Sequence, residues 1–274
     1  MSSPSRTCIF CQQQGVSREH AWPKWLLSSI GNSNPSSMTE ALLGPKNPSV
    51  TWTGPEVTVN CVCRSCNNGW MSDLEGRARP IVGSLLNDVS LSLDSSQQSD
   101  LSLWSVKTAM VFEATDRTRR WFYSDVNRRL LCNSGEIPHR TRVWIGRYAQ
   151  SNILCSEARK LYERTPRDAN PFAGGHAVTF VICRLVIQVL TLRLKPEFET
   201  AEEVALHINP GPWESLLSQI RPAESNMLRW PPRMSFDNSG ISFEQLSGRF
   251  VAGVSSTNVQ NGVLFVREAD SEGR

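Results

Sequence analysis

The sequence predicts an α+β protein in two parts, a small N-terminal unit over residues 1–79 held together by paired cysteines and a larger α+β unit over 80–274. Three observations carry this expectation. Two Cys-x-x-Cys pairs, Cys8/Cys11 and Cys63/Cys66, bracket a stretch with too little apolar content to fold alone. Strand-like and helix-like patterns both occur, but not in the regular alternation of a parallel βαβ sheet. The most apolar run, Ala177 to Leu194, is crowded with Val, Ile and Thr, which pack well on a pleated surface.

Taken in order, residues 5–27 read as a compact knuckle around Cys8-Ile-Phe-Cys11. Pro23 biases Trp22 towards extended backbone, which puts Glu19-His20 at the end of a short strand or turn. Lys24 to Leu27 can begin a short helix. Residues 28–49, rich in Ser, Asn, Pro and Gly, read as a flexible surface insertion. Val57-Thr58-Val59 alternates as a strand does, and Asn67-Asn68-Gly69 reads as a turn. Trp70, Leu74 and Ile81 then predict a helix, with Asp73 and Glu75 near its positive end. Pro80 marks the expected boundary between the two units.

Beyond it, Leu101 to Glu113 predicts an amphipathic helix with Leu101, Trp104, Thr108, Val111 and Phe112 on one side. Arg142 to Arg147 alternates and reads as a strand. Ala177 to Leu194 reads as buried strand, although a helical form would align Arg184, Gln188 and Thr191 in one polar stripe. Arg184, Gln188 and Arg193 in either case argue against a membrane span. Pro-rich patches at 210–212 and 231–232 punctuate the last quarter, and the tail after Val266 is charged.

An apolar content of 39% and a charged content of 20% exclude a disordered chain. The N-terminal residues lack the apolar core of a secretory signal, so the expectation is a cytoplasmic, reducing setting with no membrane association. Paired thiols in such a setting are metal ligands more often than disulfides. Cys8, Cys11, Cys63 and Cys66 would close a tetrahedral structural zinc site with Zn–S near about 2.3 Å. Cys61 lacks the two-residue gap and reads as a bystander. Cys132, Cys155 and Cys183 read as small buried hydrophobes.

The net charge of +3 is unevenly spread, since residues 117–167 hold twelve basic side chains against four acidic. Arg119, Arg120, Arg128 and Arg129 lie there beside Trp121, Phe122 and Tyr123. Arginine mixed with aromatics suits a nucleic-acid surface, with guanidinium for phosphate and rings for bases. The same residues also fit a solvated helix face with strand-end arginines.

Cys-x-x-Cys, then Glu-His-x-x-Pro, then Cys-x-x-Cys-Asn resembles the zinc-stapled branch of the His-Asn-His (HNH) endonucleases over about residues 8–75. The resemblance implies a ββα-metal fold for this segment and hydrolysis of DNA phosphodiester bonds. It implies that His20 is the general base and that Glu19 and Asn67 hold a catalytic Mg²⁺ or Mn²⁺. The position at which the family carries the base-orienting Asn is Thr58 in this sequence.

The chemistry is consistent with these implied roles. Phosphodiester hydrolysis needs a base that titrates near neutrality and positive charge on the developing phosphorane, and imidazole plus an oxygen-ligated cation provides both. His139, His176 and His207 lack comparable neighbours and read as structural. Trp22, Trp25 and Trp70 read as core. The competing expectation is a catalytically inactive zinc-ribbon protein that binds nucleic acid through the arginine-rich stretch. Residues 80–274 would then supply substrate recognition, a homodimer contact or a protein partner.

Overall fold

The structure, a computed structural model, describes residues 7–30, 37–42, 50–53, 58–115, 121–148, 154–161, 172–196, 204–208, 215–236 and 263–267. Beyond the first cysteine pair the chain forms β1 (Val16–His20), and Pro23 then opens the short helix α1 (Lys24–Ile30). Three strands follow, β2 (Ser37–Leu42), β3 (Val50–Thr53) and β4 (Thr58–Cys63). The second cysteine pair spans the end of β4, at Cys63, and α2 (Arg64–Cys66), which passes through a wide turn at Asn67–Met71 into α3 (Ser72–Leu86). The expected Asn67-Asn68-Gly69 turn is therefore helical backbone, interrupted only where Gly69 departs to φ −97°, ψ −117°.

The rest of the chain gives β5 (Leu91–Asp94), α4 (Ser95–Glu113), α5 (Asp125–Ser134), β6 (Thr141–Arg147), β7 (Leu154–Leu161), β8 (Phe172–Ile182) and β9 (Leu185–Leu194). Four further strands complete it, β10 (Val204–Ile208), β11 (Leu217–Arg221), β12 (Met227–Trp230) and β13 (Val263–Arg267). Helices and strands mix without βαβ alternation, so the fold is α+β.

The largest sheet has the order β11-β6-β9-β8-β7-β2-β3, antiparallel except where β2 runs parallel to β7. β2 and the run 37–42 that forms it belong to the segment expected as a loose surface insertion; strand pairing to β7 takes them into the sheet instead. The run Ala177 to Leu194 is strand, as its β-branched content predicts, but it is two strands rather than one. β8 turns back into β9 through Cys183-Arg184, with Cys183 in the left-handed region at φ 51°. No Gly or Asn announces that turn. Both strands are buried on both faces, which removes the apolar–polar alternation that would have shown their period.

α4 is the axis of the molecule. Asp94 and Gln97 form a capping box that fixes its start. The expected one-sided helix is in fact surrounded, with Ser102, Ser105 and Thr108 buried together with Trp104, Met110 and Phe112. The three hydroxyls donate back to the carbonyls of Gln98, Leu101 and Trp104 at 2.7, 2.7 and 2.8 Å, which satisfies them inside the core. Among the described residues no helix is long and apolar enough to cross a membrane.

The expected division at Pro80 falls inside α3, whose helix continues to Leu86. Proline there forfeits one backbone hydrogen bond to Gly76, a loss that packing on α4 outweighs. One buried cluster includes Cys8, Trp22, Leu74, Trp104, Phe180 and Trp230, so both expected units share a core. Trp22 is its keystone, edge-on to Phe112 of α4 at 4.7 Å and to Phe180 of β8 at 5.2 Å. Trp22→Ala is expected to cost about 3–5 kcal/mol. The loss should appear as one lowered transition in calorimetry, not as selective melting of the N-terminal segment; two independent transitions in the wild type would refute the shared core.

Candidate functional site

The first knuckle is a tight loop in which Cys8 N–H donates to the Gln13 carbonyl at 2.8 Å and Gln12 N–H to the Cys8 carbonyl at 3.0 Å. It is tied to β4 by the Ile9 N–H, which donates to the Cys61 carbonyl at 2.8 Å. The second knuckle starts where β4 ends. Cys63 precedes α2 in extended conformation, and its sulfur accepts from the Cys66 N–H at 3.4 Å. These two turns bring the sulfurs of Cys8, Cys11, Cys63 and Cys66 within 4.8 Å of one another, with Cys11 and Cys63 at 3.5 Å.

That set fits a metal ion such as zinc. A tetrahedron with Zn–S of about 2.3 Å has sulfur–sulfur edges of about 3.8 Å, close to what the chain provides. Burial raises the Cys63 thiol, but the Cys66 N–H and the neighbouring sulfurs reverse this and leave its pKa lowered. Burial drives Cys11 and Cys66 upward, so in the bare cluster the thiols compete for protons that a cation would replace. Phe10 packs edge-on against Trp70 at 5.0 Å and joins the two knuckles on their apolar side. Cys61 lies outside the cluster, where burial pushes its thiol to about 12. Cys132, on α5, is half-buried, and burial pushes its thiol up.

Strand alternation divides Glu19 from its neighbours. Arg18 is exposed and His20 half-buried, whereas Glu19 is 8% exposed and turned towards α3 and α4. His20 lies opposite Thr58 across the β1–β4 ladder, and the Thr58 hydroxyl accepts from Arg18 Nε at 3.0 Å. The long insertion between these strands thus leaves Thr58 and His20 facing one another.

Glu19 enters a charged layer that the sequence alone did not assemble. Lys107 Nζ on α4 is 2.8 Å from Glu75 Oε1 on α3, and Trp25 Nε1 donates to Glu75 Oε2 at 3.2 Å. Burial lifts the Glu19 carboxyl to about 7; Lys107 and Lys24 oppose that rise and Glu75 adds to it. Asn67, half-buried, starts the wide turn after Cys66. It precedes α3, which carries Glu75 to the charges around Glu19. The sequence signal for Lys107 is a lone cation inside the apolar run Leu101 to Phe112; for Arg18 it is the two-residue spacing to His20.

The arginine-rich stretch is not one surface. Arg128 is fully buried, its Nη2 2.7 Å from Glu113 Oε2 and its guanidinium 4.9 Å from the Trp121 ring centroid. It is a core ion pair and is removed from the expected phosphate contacts. Arg147 is bidentate to Asp88, and Arg142 donates to Gln219. Arg129 is exposed on α5, while Arg119 and Arg120 lie outside the described residues. His176, expected as structural, is buried against Phe122 and Tyr123.

Comparison with protein-family models, with curated proteins and with solved structures found no match.

Metal analysis of purified protein is expected to find about one zinc ion per chain. Cys66→Ser should remove it together with stability on the order of several kcal/mol; wild type without bound transition metal, or a variant that retains it, would contradict the assignment. Glu19 gives a pH signature. Its folded pKa is raised from an ordinary 4.5 to about 7, so the protonated form favours folding below the lower value and that contribution is lost as pH rises through the upper one. Urea unfolding of Glu19→Gln and wild type, zinc-loaded and without other divalent ions, is expected to diverge in favour of Gln by about 2 kcal/mol between about pH 5.5 and pH 8. A pH-independent difference would show that Glu19 is not desolvated.

Proposed function

We propose that this protein is a metal-dependent endonuclease of the HNH type that hydrolyses phosphodiester bonds in DNA, with His20 as the general base. One observation carries the reading: two antiparallel strands followed by a helix are clamped at one end by four sulfurs and carry a histidine facing a hydroxyl at the other. That is the order the Cys-x-x-Cys, Glu-His-x-x-Pro, Cys-x-x-Cys-Asn motif implies through its resemblance to the family.

The roles are those that the resemblance implies. His20 stands half-exposed at the strand end, where its imidazole can take a proton from water beside a bound phosphate. Thr58 faces it and occupies the position of the family's orienting carboxamide. Glu19 is the carboxylate for a Mg²⁺ or Mn²⁺ ion, and Asn67 is the second ligand that the resemblance implies. Such an ion, when bound, neutralises charge on the phosphoryl oxygens and the leaving oxygen. Lys107 and Glu75 hold the Glu19 side of the site, with Lys107 offsetting the negative charge gathered there. The four-sulfur cluster is closed and takes no part in turnover.

Plasmid nicking or cleavage with Mg²⁺ or Mn²⁺ tests the reading. His20→Ala is expected to lower the rate by roughly 10²–10⁴ while zinc content and melting temperature stay unchanged. A wild type that cuts no DNA with either ion, or a variant that cuts as fast, would defeat it. Salt-dependent DNA binding without turnover would instead favour a zinc-ribbon binding protein, a reading to which the Thr58 hydroxyl in place of a carboxamide lends support.

A further inference from the structure

Arg18 is the cation closest in sequence to the proposed base, and a neutral side chain on the facing strand holds it. It precedes His20 by two residues on β1, so the two side chains leave the strand on one face, about 7 Å apart at the backbone. Opposite them stand Asn60 and Thr58, respectively. Arg18 does not extend along its own row: its Nε crosses diagonally to the Thr58 hydroxyl at 3.0 Å, the residue facing His20. The guanidinium is thereby turned towards the His20 end of the hairpin.

What holds it is neutral. Arg77, Arg128, Arg147 and Arg184 each meet a carboxylate, at 2.9, 2.7, 2.6 and 3.1 Å. Among the described residues Arg18 enters no ion pair, and it is exposed. A hydroxyl at Nε fixes the plane of the guanidinium and leaves its charge uncompensated. The two terminal NH₂ groups then present the planar fork that matches two oxygens of one phosphate.

We propose that Arg18, anchored by Thr58, is the phosphate clamp of this site and binds two non-bridging oxygens of a nucleic-acid backbone on the His20 face of the hairpin. The proposal rests on the nuclease reading only for the fate of that phosphate. In hydrolysis the clamp stabilises charge that grows on the non-bridging oxygens as water adds, so it lowers the barrier as well as aiding binding. It also gives Thr58 a reason to be a short hydroxyl residue: the hydroxyl is the acceptor that aims Arg18.

The test uses the full-length, zinc-loaded chain with a fluorescein-labelled DNA duplex of about two helical turns. Affinity is read by anisotropy without added divalent ion, from about 50 to 200 mM salt. Arg18→Ala is expected to weaken binding about tenfold and to reduce the slope of log K against log salt by about one. Arg18→Lys should keep the slope, since the charge remains, yet lower kcat roughly tenfold or more because the fork is lost. Thr58→Val should leave the slope intact and weaken binding by about threefold, because the charge is present but no longer aimed. An unchanged slope in Arg18→Ala overturns the clamp. So does Arg18-dependent binding of inorganic phosphate with unaltered duplex affinity, which would make the ligand a small phosphate compound. If the wild type fails to cut DNA while the Arg18→Ala slope still falls, the nuclease reading is lost and the clamp stands. If cleavage proceeds at the wild-type rate in Arg18→Ala with its slope unchanged, the clamp alone is lost.

Discussion

Four sulfur atoms within 4.8 Å of one another join the two knuckles of the N-terminal segment. Cys63 ends β4 and Cys66 lies on the first helical turn after it, so their sulfurs fix the angle at which the chain leaves the ladder. Cys8 and Cys11 hold the other strand's approach to the same point. Packing of Phe10, Trp22 and Leu26 into the shared core adds about 1.5–3 kcal/mol for each large side chain but is not directional. A closed tetrahedral ion contributes on the order of 10 kcal/mol and does so directionally. From that angle follows the path of α3, and from the path of α3 follows the delivery of Glu75 to the level of Trp25 and Glu19.

Charges inside the fold are then organised around α4. Lys107 meets Glu75 on one side, and six residues later Glu113 meets Arg128 on another. Both ions of the second pair are fully buried, a condition tolerated only when every donor and acceptor is used. Arg128 donates to Glu113, to the Met110 carbonyl at 3.2 Å and to the Tyr123 carbonyl at 3.4 Å, and Glu113 also accepts from the backbone N–H groups of Phe122 and Tyr123. That pair therefore ties the chain at 121–123 and α5 to α4. The N-terminal segment and the central helix meet instead in one buried cluster, through Trp22 against Phe112.

Local chemistry was legible in the sequence and long-range partnership was not. Cys-x-x-Cys spacing announces its own geometry because two residues are all that one tight turn needs. Thr58 and the strand around it were readable from alternation, as were Arg142 to Arg147 and the β-branched run to Leu194. Alternation failed where burial covers both faces, and the Cys183-Arg184 turn carried no Gly or Asn to mark it. α4 hid its burial behind serines and threonines whose hydroxyls are satisfied by the helix itself. Arg128 misled for a related reason: composition groups it with Arg129, but a helix turns 100° between them, and one faces Glu113 while the other faces water. Pro80 suggested a boundary because propensity counts the lost hydrogen bond and ignores the packing on α4.

The alternation of a single strand accounts for the division of labour at the proposed site. Consecutive residues Arg18, Glu19 and His20 must point out, in and out, so one peptide supplies an anion-binding face and a desolvated carboxylate at once. The carboxylate needs the inward position. Only there does burial raise its pKa to about 7, so that near neutrality proton and cation compete for it on comparable terms. Arg18 needs the outward position, because in the interior it would require a carboxylate partner, as Arg128 does, and would have no charge left to offer. Exchanging the two side chains would bury an arginine beside Lys107 and take the carboxylate out of the desolvated position near Lys107 and Glu75. An order with Glu in the middle is thus what lets the hairpin keep the carboxylate in its interior and Arg18 and His20 on the outer face.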